Sequence, residues 1–155
     1  MKKQSKRQGK IEQIRKLLKH EYIRLNNWIV CGVSVPDGNK TVCHWCGYPA
    51  PVDLDELNGR HGVGALPLSV SPCNHQLLCR MCHARKTDGG NKDWLAVTQP
   101  KVKLEFIKLE VAIVNRLPKL PFAMKQNLDD IHNAVWEAIK ENHEITPKRK
   151  APSSD

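Results

Sequence analysis

The chain contains no long apolar run, and this absence excludes several classes of protein. A membrane-spanning helix needs about 20 consecutive apolar residues, and no stretch of the sequence approaches that length. The N-terminus, MKKQSKRQGK, is basic but leads into an amphipathic segment, whereas a secretory signal peptide requires an uninterrupted apolar stretch at this point. We therefore expect no membrane contact and a reducing compartment, in which paired cysteines bind metals more often than they form disulfides.

Acidic residues are also few relative to basic ones. The sequence has 25 Lys and Arg against 16 Asp and Glu, which gives a formal net charge of +9. A clustered cationic excess favours an anionic partner, and nucleic acid is the commonest one. Much of the remaining length is linker-like, so the apolar core is expected to be modest and to need a metal or a disulfide to supplement it.

The distribution of charged, proline and apolar residues divides the chain into five segments. These are a disordered basic arm, an amphipathic helix, a central module, a helical region and a disordered tail. They are predicted to span residues 1–10, 11–27, 28–90, 91–142 and 143–155, in that order. The first helix has an apolar stripe at helical spacing, which favours packing over a purely surface role. The stripe comprises Ile11, Ile14, Leu18, Tyr22 and Leu25.

Within the central module, β-branched and apolar residues at 28–35 predict a strand. A Pro-Asp-Gly-Asn turn and a short strand at 40–43 follow, and together they predict a hairpin. Residues 49–72 contain many prolines, glycines and acids, and they are predicted to form a loop with one short strand around His61. A second short strand is predicted at 76–78, followed by a helix from about 80 to 87 that stops at Asp-Gly-Gly.

The C-terminal part of the sequence predicts two helices. The first covers residues 102–117 and ends before Pro118. The second has a regular apolar stripe, formed by Met124, Leu128, Ile131, Val135 and Ile139.

Two cysteine pairs have the spacing of a zinc site. Cys43 and Cys46 form one CxxC motif, and Cys79 and Cys82 form the other. Zn²⁺ prefers four soft ligands in a tetrahedron, and each CxxC turn presents two thiolates. We therefore predict a structural zinc ion held by these four residues, with Cys31 and Cys73 left over.

The second cysteine pair lies in the segment NHQLLCRMCHARKT, residues 74–87, which resembles the second half of the HNH nuclease motif. That family's pattern is roughly Asn-Leu-x-Leu-Leu-Cys-x-x-Cys-His-x-x-Lys-Thr. The upstream segment CHWCG, residues 43–47, is similar to the family's first knuckle. The resemblance covers about residues 43–88 and does not extend to the flanking helices.

The resemblance implies an α+β fold, in which a small ββα-metal module with a treble-clef-like zinc knuckle is flanked by amphipathic helices. It implies that His61 is the general base that deprotonates the attacking water, and that Asn74 orients this base. It implies that His83 binds a catalytic divalent metal, Mg²⁺ or Mn²⁺. These residue types suit phosphodiester hydrolysis, because imidazole titrates near neutrality and a divalent ion stabilises the developing negative charge.

Several basic residues are expected to bind backbone phosphates. Some belong to the N-terminal arm, where a flexible cationic segment adds non-specific affinity, and the others lie beside the motif. They are Lys2, Lys3, Lys6, Arg7, Arg80, Arg85 and Lys86.

The sequence departs from the family pattern at two positions. Many members have Asp, Glu or His just before the first histidine as a metal ligand, but here the residue is Arg60. An arginine cannot coordinate a cation, so the metal would need another carboxylate, and the nearby acids are Asp53, Asp55 and Glu56. The residue after the motif's asparagine is His75, where the family prefers an apolar side chain.

The leading hypothesis is a small HNH-type endonuclease that acts on DNA, of the kind found in phages and mobile elements. It would work in the cytoplasm of a bacterial or phage-infected cell. One alternative is a zinc-stabilised nucleic-acid-binding or regulatory protein that uses the same fold without cleavage. Another is an adaptor whose protein partner docks on the C-terminal helices. Arg60 is the feature that favours the two alternatives.

Overall fold

A computed structural model describes most of the chain as a mixed structure of helices and one antiparallel sheet. The described residues are 6–31, 40–57, 66–89, 100–121, 124 and 126–145. Within them the helices are α1 (Lys6–Cys31), α2 (Arg80–Gly89), α3 (Pro100–Asn115) and α4 (Leu128–Ile145), and the strands are β1 (Lys40–Val42), β2 (Pro49–Glu56) and β3 (His75–Cys79). Two short 3-10 helices, Leu68–Val70 and Pro72–Asn74, precede β3. The predicted mixed α and β character is therefore confirmed.

The sheet has the order β1-β2-β3, and β2 is antiparallel to both neighbours. The N-terminal part of β2 pairs with β1, where Pro51 lies opposite Lys40. The C-terminal part pairs with β3, from Val52 opposite Cys79 to Glu56 opposite His75. Because the two proline residues of β2 precede its pairing with β3, they remove no hydrogen bond from that ladder.

The prediction of a loop at residues 49–72 is wrong for its first part, which forms β2. Its residues alternate between the two faces of the strand, as in any strand. Val52 and Leu54 are buried in the main core, whereas Asp53 and Asp55 lie on the opposite face. The short strand expected around His61 lies outside the described residues.

Helix α1 is longer at both ends than predicted. It begins at Lys6, so the part of the expected disordered arm from residue 6 to residue 10 is helical. It also continues through Trp28 to Cys31, which were predicted to be in a strand. The run from Glu21 to Ile29 is buried on every face, so tertiary packing overrides the strand preference of its branched side chains. The rest of the predicted strand, residues 32–39, lies outside the described part.

Two asparagines of α1 cover the edge of the sheet. Asn26 donates from Nδ2 to Thr41 Oγ1 at 2.7 Å and to the Val42 carbonyl at 3.1 Å. Asn27 donates to the Lys40 carbonyl at 3.2 Å. An uncovered edge strand would leave these carbonyls without protein partners. The hairpin expected between 28–35 and 40–43 is thus replaced by a helix that packs on β1, while β1 pairs with β2.

The C-terminal helices pack against α1 to complete the core. The stripe that was predicted in the second of them is buried in α4 at Ile131, Val135 and Ile139. Met124 does not belong to it, because it precedes the helix and its side chain is 62% exposed. At the start of α4, the Asn127 side chain accepts the Asp129 N–H at 2.7 Å, which caps the helix. The buried stripe of α4 is therefore part of the main core.

Helix α4 extends to Ile145, beyond the expected start of the disordered tail at residue 143. Its last turns are held by Glu21 of α1, a side chain only 1% exposed. Asn142 donates to one carboxylate oxygen at 2.6 Å, and His143 contacts the other at 2.7 Å. Arg24 binds the same carboxylate through two nitrogens. Burial raises the pKa of Glu21, but these partners outweigh burial and hold it below its usual value.

Arg15 of α1 connects the helix to both sides of the segment that separates β2 from β3. Its Nη2 donates to the Leu54 carbonyl at 3.1 Å, and its Nη1 donates to the Ser69 carbonyl at 2.8 Å. Nη1 also lies 3.1 Å from Glu56 Oε1 and 2.8 Å from His75 Nε2. The histidine that departs from the family pattern is therefore the partner of an arginine outside the motif.

None of the described helices is both long enough and apolar enough to cross a membrane.

The Arg15 contact fixes the protonation state of His75. Arginine can only donate, so His75 Nε2 must accept, and Nδ1–H donates to the Ser71 carbonyl at 2.6 Å. Burial and then the positive charge of Arg15 lower the pKa of His75 to about 4. Because the unfolded histidine titrates near 6.5, the unfolded state binds the proton first, and stability falls as the pH drops below about 6.5.

We predict that this one group lowers the free energy of unfolding by about 2 kcal/mol between pH 7 and pH 5. In His75→Gln the amide can keep one acceptor and one donor but does not titrate, so the pH dependence should be flatter by that amount. Urea unfolding of both proteins at several pH values measures the difference. Parallel pH profiles for the two proteins would contradict the assigned contact.

Candidate functional site

The two cysteine pairs meet at one end of the sheet. The Sγ atoms of Cys43, Cys46, Cys79 and Cys82 all lie within 4.8 Å of one another. The first pair lies in the turn between β1 and β2, Cys79 ends β3, and Cys82 lies in the first turn of α2. Such a cluster can hold a metal ion, and four thiolates are compatible with structural zinc. The predicted convergence of the two pairs is confirmed.

The backbone of the first pair is arranged around the Cys43 sulfur. The N–H groups of Trp45 and Cys79 point at this Sγ from 3.4 and 3.3 Å. Gly47 has a φ of +79°, a left-handed conformation that favours glycine. Its N–H donates to the Cys43 carbonyl at 3.0 Å and closes the turn.

These N–H groups favour a negatively charged sulfur. Burial raises the pKa of Cys43, but the backbone donors, that of Cys79 foremost, outweigh burial and lower it to about 7. Burial and the neighbouring sulfurs raise the pKa of Cys82 well above its usual value. Four adjacent thiolates repel one another, so a bound cation is needed to keep all four deprotonated, and metal binding should release protons.

His44, inside the first cysteine pair, ties this pair to the rest of the fold. Its Nδ1 accepts the Leu77 backbone N–H at 3.1 Å. Its Nε2–H is therefore free to donate to Asn26 Oδ1, which lies 3.0 Å away. Burial lowers the pKa of His44 to about 4, consistent with a neutral imidazole. The position of the cysteine turn is thus coupled to both β3 and α1.

A second polar cluster lies between β2 and α2. His83 follows Cys82 in α2, and its ring points at the acidic face of β2. Its Nδ1 lies 3.0 Å from Asp53 Oδ2, and its Nε2 lies 3.5 Å from Asp55 Oδ1. Two carboxylates separated by one residue on a strand thus meet a histidine from the adjacent helix.

Both ring nitrogens of His83 therefore face a carboxylate oxygen. A neutral imidazole carries a hydrogen on only one nitrogen, so it can donate to only one of these two oxygens. The arrangement is fully favourable only when the ring is an imidazolium or when a cation lies between a ring nitrogen and a carboxylate. Carboxylate oxygens suit Mg²⁺ and Mn²⁺, whereas imidazole is a common ligand of transition-metal ions such as Zn²⁺.

Lys86 and Gln76 hold the second carboxylate in place. Asp55 Oδ2 accepts from Lys86 Nζ at 2.6 Å and from Gln76 Nε2 at 3.0 Å. Lys86 also donates to the Glu56 carbonyl at 2.7 Å, and only 9% of its side chain is exposed. Lys86 was expected to bind backbone phosphates, but its ammonium group is held inside the protein. Asp55 Oδ1 is left directed toward His83.

Asn74 lies at the end of the second 3-10 helix, buried completely. Its backbone carbonyl accepts the Leu57 N–H at 2.8 Å, and its Nδ2 donates to the Leu68 carbonyl at 3.0 Å. Its Oδ1 is buried, and among the described residues it has no hydrogen-bond partner. A buried acceptor of this kind costs free energy unless a donor reaches it.

The expected general base lies in a part of the chain that the structure does not describe. His61 and Arg60 lie outside the described residues, between Leu57 and Leu66. Of the expected catalytic residues, the structure therefore describes Asn74 and His83. Within the described part of the chain, no hydrogen bond links Asn74 to His83.

The remaining expected phosphate contacts occupy two elements. Lys6 and Arg7 lie in the first turn of α1, where both are exposed. Arg80 and Arg85 are exposed on α2. Lys2 and Lys3 lie outside the described residues.

Sequence reasoning named Asp53 and Asp55 only as nearby acids and did not place Arg15 in the module. The signal for the two acids was present as the alternation Val-Asp-Leu-Asp at residues 52–55, which predicts a strand with one apolar and one acidic face. No local pattern identifies Arg15, because its contacts lie 39 to 60 residues away in the sequence.

In comparisons with known proteins, no family model, no curated protein and no solved structure matched the chain.

The geometry predicts which cysteines hold the metal. Cys73 lies outside the cluster, where burial and then Glu110 raise the pKa of its thiol to about 12. Cys73→Ser should therefore keep about one equivalent of metal per chain, whereas Cys43→Ser should lose it and melt at lower temperature. Elemental analysis and thermal unfolding of the two variants measure both effects. Metal loss from Cys73→Ser, or full retention in Cys43→Ser, would show that the ligand set is wrong.

Proposed function

We propose that this protein is a metal-dependent endonuclease of the HNH type that hydrolyses phosphodiester bonds in DNA. The observation that carries the proposal is the meeting of Asp53, Asp55 and His83 beside the cysteine cluster. A strand pair followed by a helix, with a histidine on the helix facing the first strand, is also the arrangement that the HNH resemblance implies.

In this proposal Asp53 and Asp55 replace the metal ligand that many family members have at the position of Arg60, because an arginine cannot bind a metal. They supply the carboxylate oxygens from β2, earlier in the chain than the family pattern expects. Together with His83 they would offer a divalent ion one nitrogen and two oxygen donors. Mg²⁺ sites commonly keep several waters and use only one or two protein carboxylates.

When bound, a divalent ion would stabilise negative charge on the phosphate and on the leaving oxygen. The protein's own residues then have three tasks. His61 accepts the proton of the attacking water, as the resemblance implies. Asn74 orients that base, as the resemblance implies, and its Oδ1 is a buried acceptor without a partner among the described residues. Lys86 and Gln76 hold Asp55 so that one of its oxygens stays directed at the site.

The cysteine cluster has a structural task in this proposal, as a treble-clef-like zinc knuckle. Cys79 and Cys82 bracket the junction of β3 and α2, and His83 is the next residue. A metal bound to both cysteines would therefore fix the first turn of α2 and the direction of the His83 side chain. Structural zinc sites of this kind contribute folding free energy directly.

A second function, nucleic-acid binding without cleavage, is favoured by one observation. The ammonium of Lys86 already neutralises Asp55 at 2.6 Å, so a divalent ion would find only one uncompensated carboxylate, Asp53. In such a binding or regulatory protein, the module would serve as a zinc-stabilised scaffold and His61 would have no catalytic task.

The nuclease proposal predicts metal-dependent nicking of supercoiled plasmid DNA by the zinc-loaded protein. His61→Ala should reduce the rate by about 10²–10⁴-fold, the usual contribution of a general base. Asp53→Asn should raise the concentration of Mn²⁺ needed for half-maximal activity, because it removes one charged ligand. Asp130→Asn is the matched control, since it makes the same change on an exposed residue of α4. Its activity should equal that of the natural chain.

Two results distinguish the functions. If the natural chain cuts with neither metal, but Arg60→Asp gains activity, the protein is a binding module built on a disabled nuclease. If Asp53→Asn and Asp130→Asn respond to Mn²⁺ identically, the β2 carboxylates are not metal ligands.

A further inference from the structure

A cleft separates α1 from the acidic strand β2. It lies next to the cluster of Asp53, Asp55 and His83, which we call the candidate metal centre. It has a volume of about 260 Å³. On the α1 side its lining residues recur every three or four positions, so they lie on one face of the helix. The lining consists of Glu12, Arg15, Lys16, Lys19, Asp53 and Leu54. The α1 wall of the cleft therefore carries three cations and one carboxylate, Glu12, and the other wall carries Asp53, a member of the candidate metal centre.

The cleft shares Asp53 with that centre. About a third of the Asp53 and His83 side chains is exposed, 35% and 36% respectively. The third member, Asp55, is only 6% exposed, and Lys86, which binds it, is 9% exposed. Asp53 is therefore both an exposed member of the candidate metal centre and part of the lining of the cleft.

The three cations of the cleft differ in whether other protein groups already bind them. Arg15 is occupied by Glu56 and by the carbonyls of Leu54 and Ser69. Lys16 and Lys19, in contrast, form no ion pair with any residue that the structure describes. Many lysines elsewhere in the described chain are paired, for example Lys10 with Asp129 at 3.1 Å.

From this arrangement we infer that Lys16 and Lys19 bind the DNA backbone next to the bond that is cut. The inference rests on the proposed function, and it names the surface that holds the substrate. Ammonium groups bind phosphates as point charges and carry no sequence preference. The exposed Arg80 lies one helical turn before His83 on α2, so a DNA strand over the centre would have cations on both sides.

The inference gives α1 two roles on two faces. Its apolar face, including Ile14 and Leu18, is fully buried in the core. Its polar face along Lys16 and Lys19 supplies the phosphate contacts that the N-terminal arm was expected to provide. Because the helix is anchored through Arg15, these lysines have a fixed position relative to Asp53, which a flexible arm would lack.

The test is the salt dependence of DNA binding by the double variant Lys16→Gln/Lys19→Gln. Each phosphate contact contributes about 0.9 to the slope of log affinity against log salt for duplex DNA, so the slope should decrease by about 1.8. Lys101→Gln/Lys119→Gln is the matched control, because it removes the same charge from exposed positions on and just after α3. Its slope should equal that of the natural chain. A labelled DNA duplex and zinc-loaded protein are used without chelator and without added divalent metal.

The possible outcomes are separable. If the natural chain does not bind the duplex, both the proposed function and this inference are wrong. If it binds with a steep salt dependence and the two double variants have equal slopes, the inference alone is overturned. If the Lys16 and Lys19 effect is absent on DNA but present on an RNA duplex of the same sequence, the assignment of the cleft to DNA is wrong.

Discussion

The arrangement of the site depends on the hydrogen bonds of the Arg15 guanidinium group. This group joins α1 to the last residues of β2, to the Ser69 carbonyl and to His75 at the start of β3. In the sequence these contacts fall on both sides of residues 58–65, the part of the chain that contains His61. Removing the guanidinium would leave buried acceptors without donors, a change that typically costs about 1–3 kcal/mol for each group.

The two polar clusters are mechanically coupled although their chemistry differs. The cysteine cluster lies at the junction of β3 and α2, and His83 follows directly after its last cysteine. The acidic face of β2 is positioned from the other side, by pairing with β3 and by α1. A metal in the first cluster would therefore determine how closely His83 approaches Asp53, even though the two sites share no ligand. This coupling explains why a small module of this kind benefits from a structural ion.

The sequence was informative where the chemistry is local and misleading where it depends on distant contacts. The spacing of Cys43, Cys46, Cys79 and Cys82 predicts their convergence, because each CxxC turn is a local structure. The helical stripe of α1 likewise predicts its buried face. The prolines of β2 favoured the prediction of a loop, although the alternation at residues 52–55 indicates a strand. In α1, burial of the helix at Trp28 and Ile29 outweighed the local preference of these residues for a strand. The role of Arg15 could not be predicted, since it arises only when α1 packs on residues far along the chain.

The central claim is that Asp53, Asp55 and His83 form a divalent-metal site separate from the cysteine cluster. A crystal of the zinc-loaded protein soaked in Mn²⁺ tests it most directly, because anomalous scattering identifies the two metals independently. A manganese peak is expected within coordination distance of His83 and at least one of the two carboxylates, with zinc at the four cysteines. Manganese only at the cysteines, or no peak beside His83 at saturating Mn²⁺, would contradict the proposal.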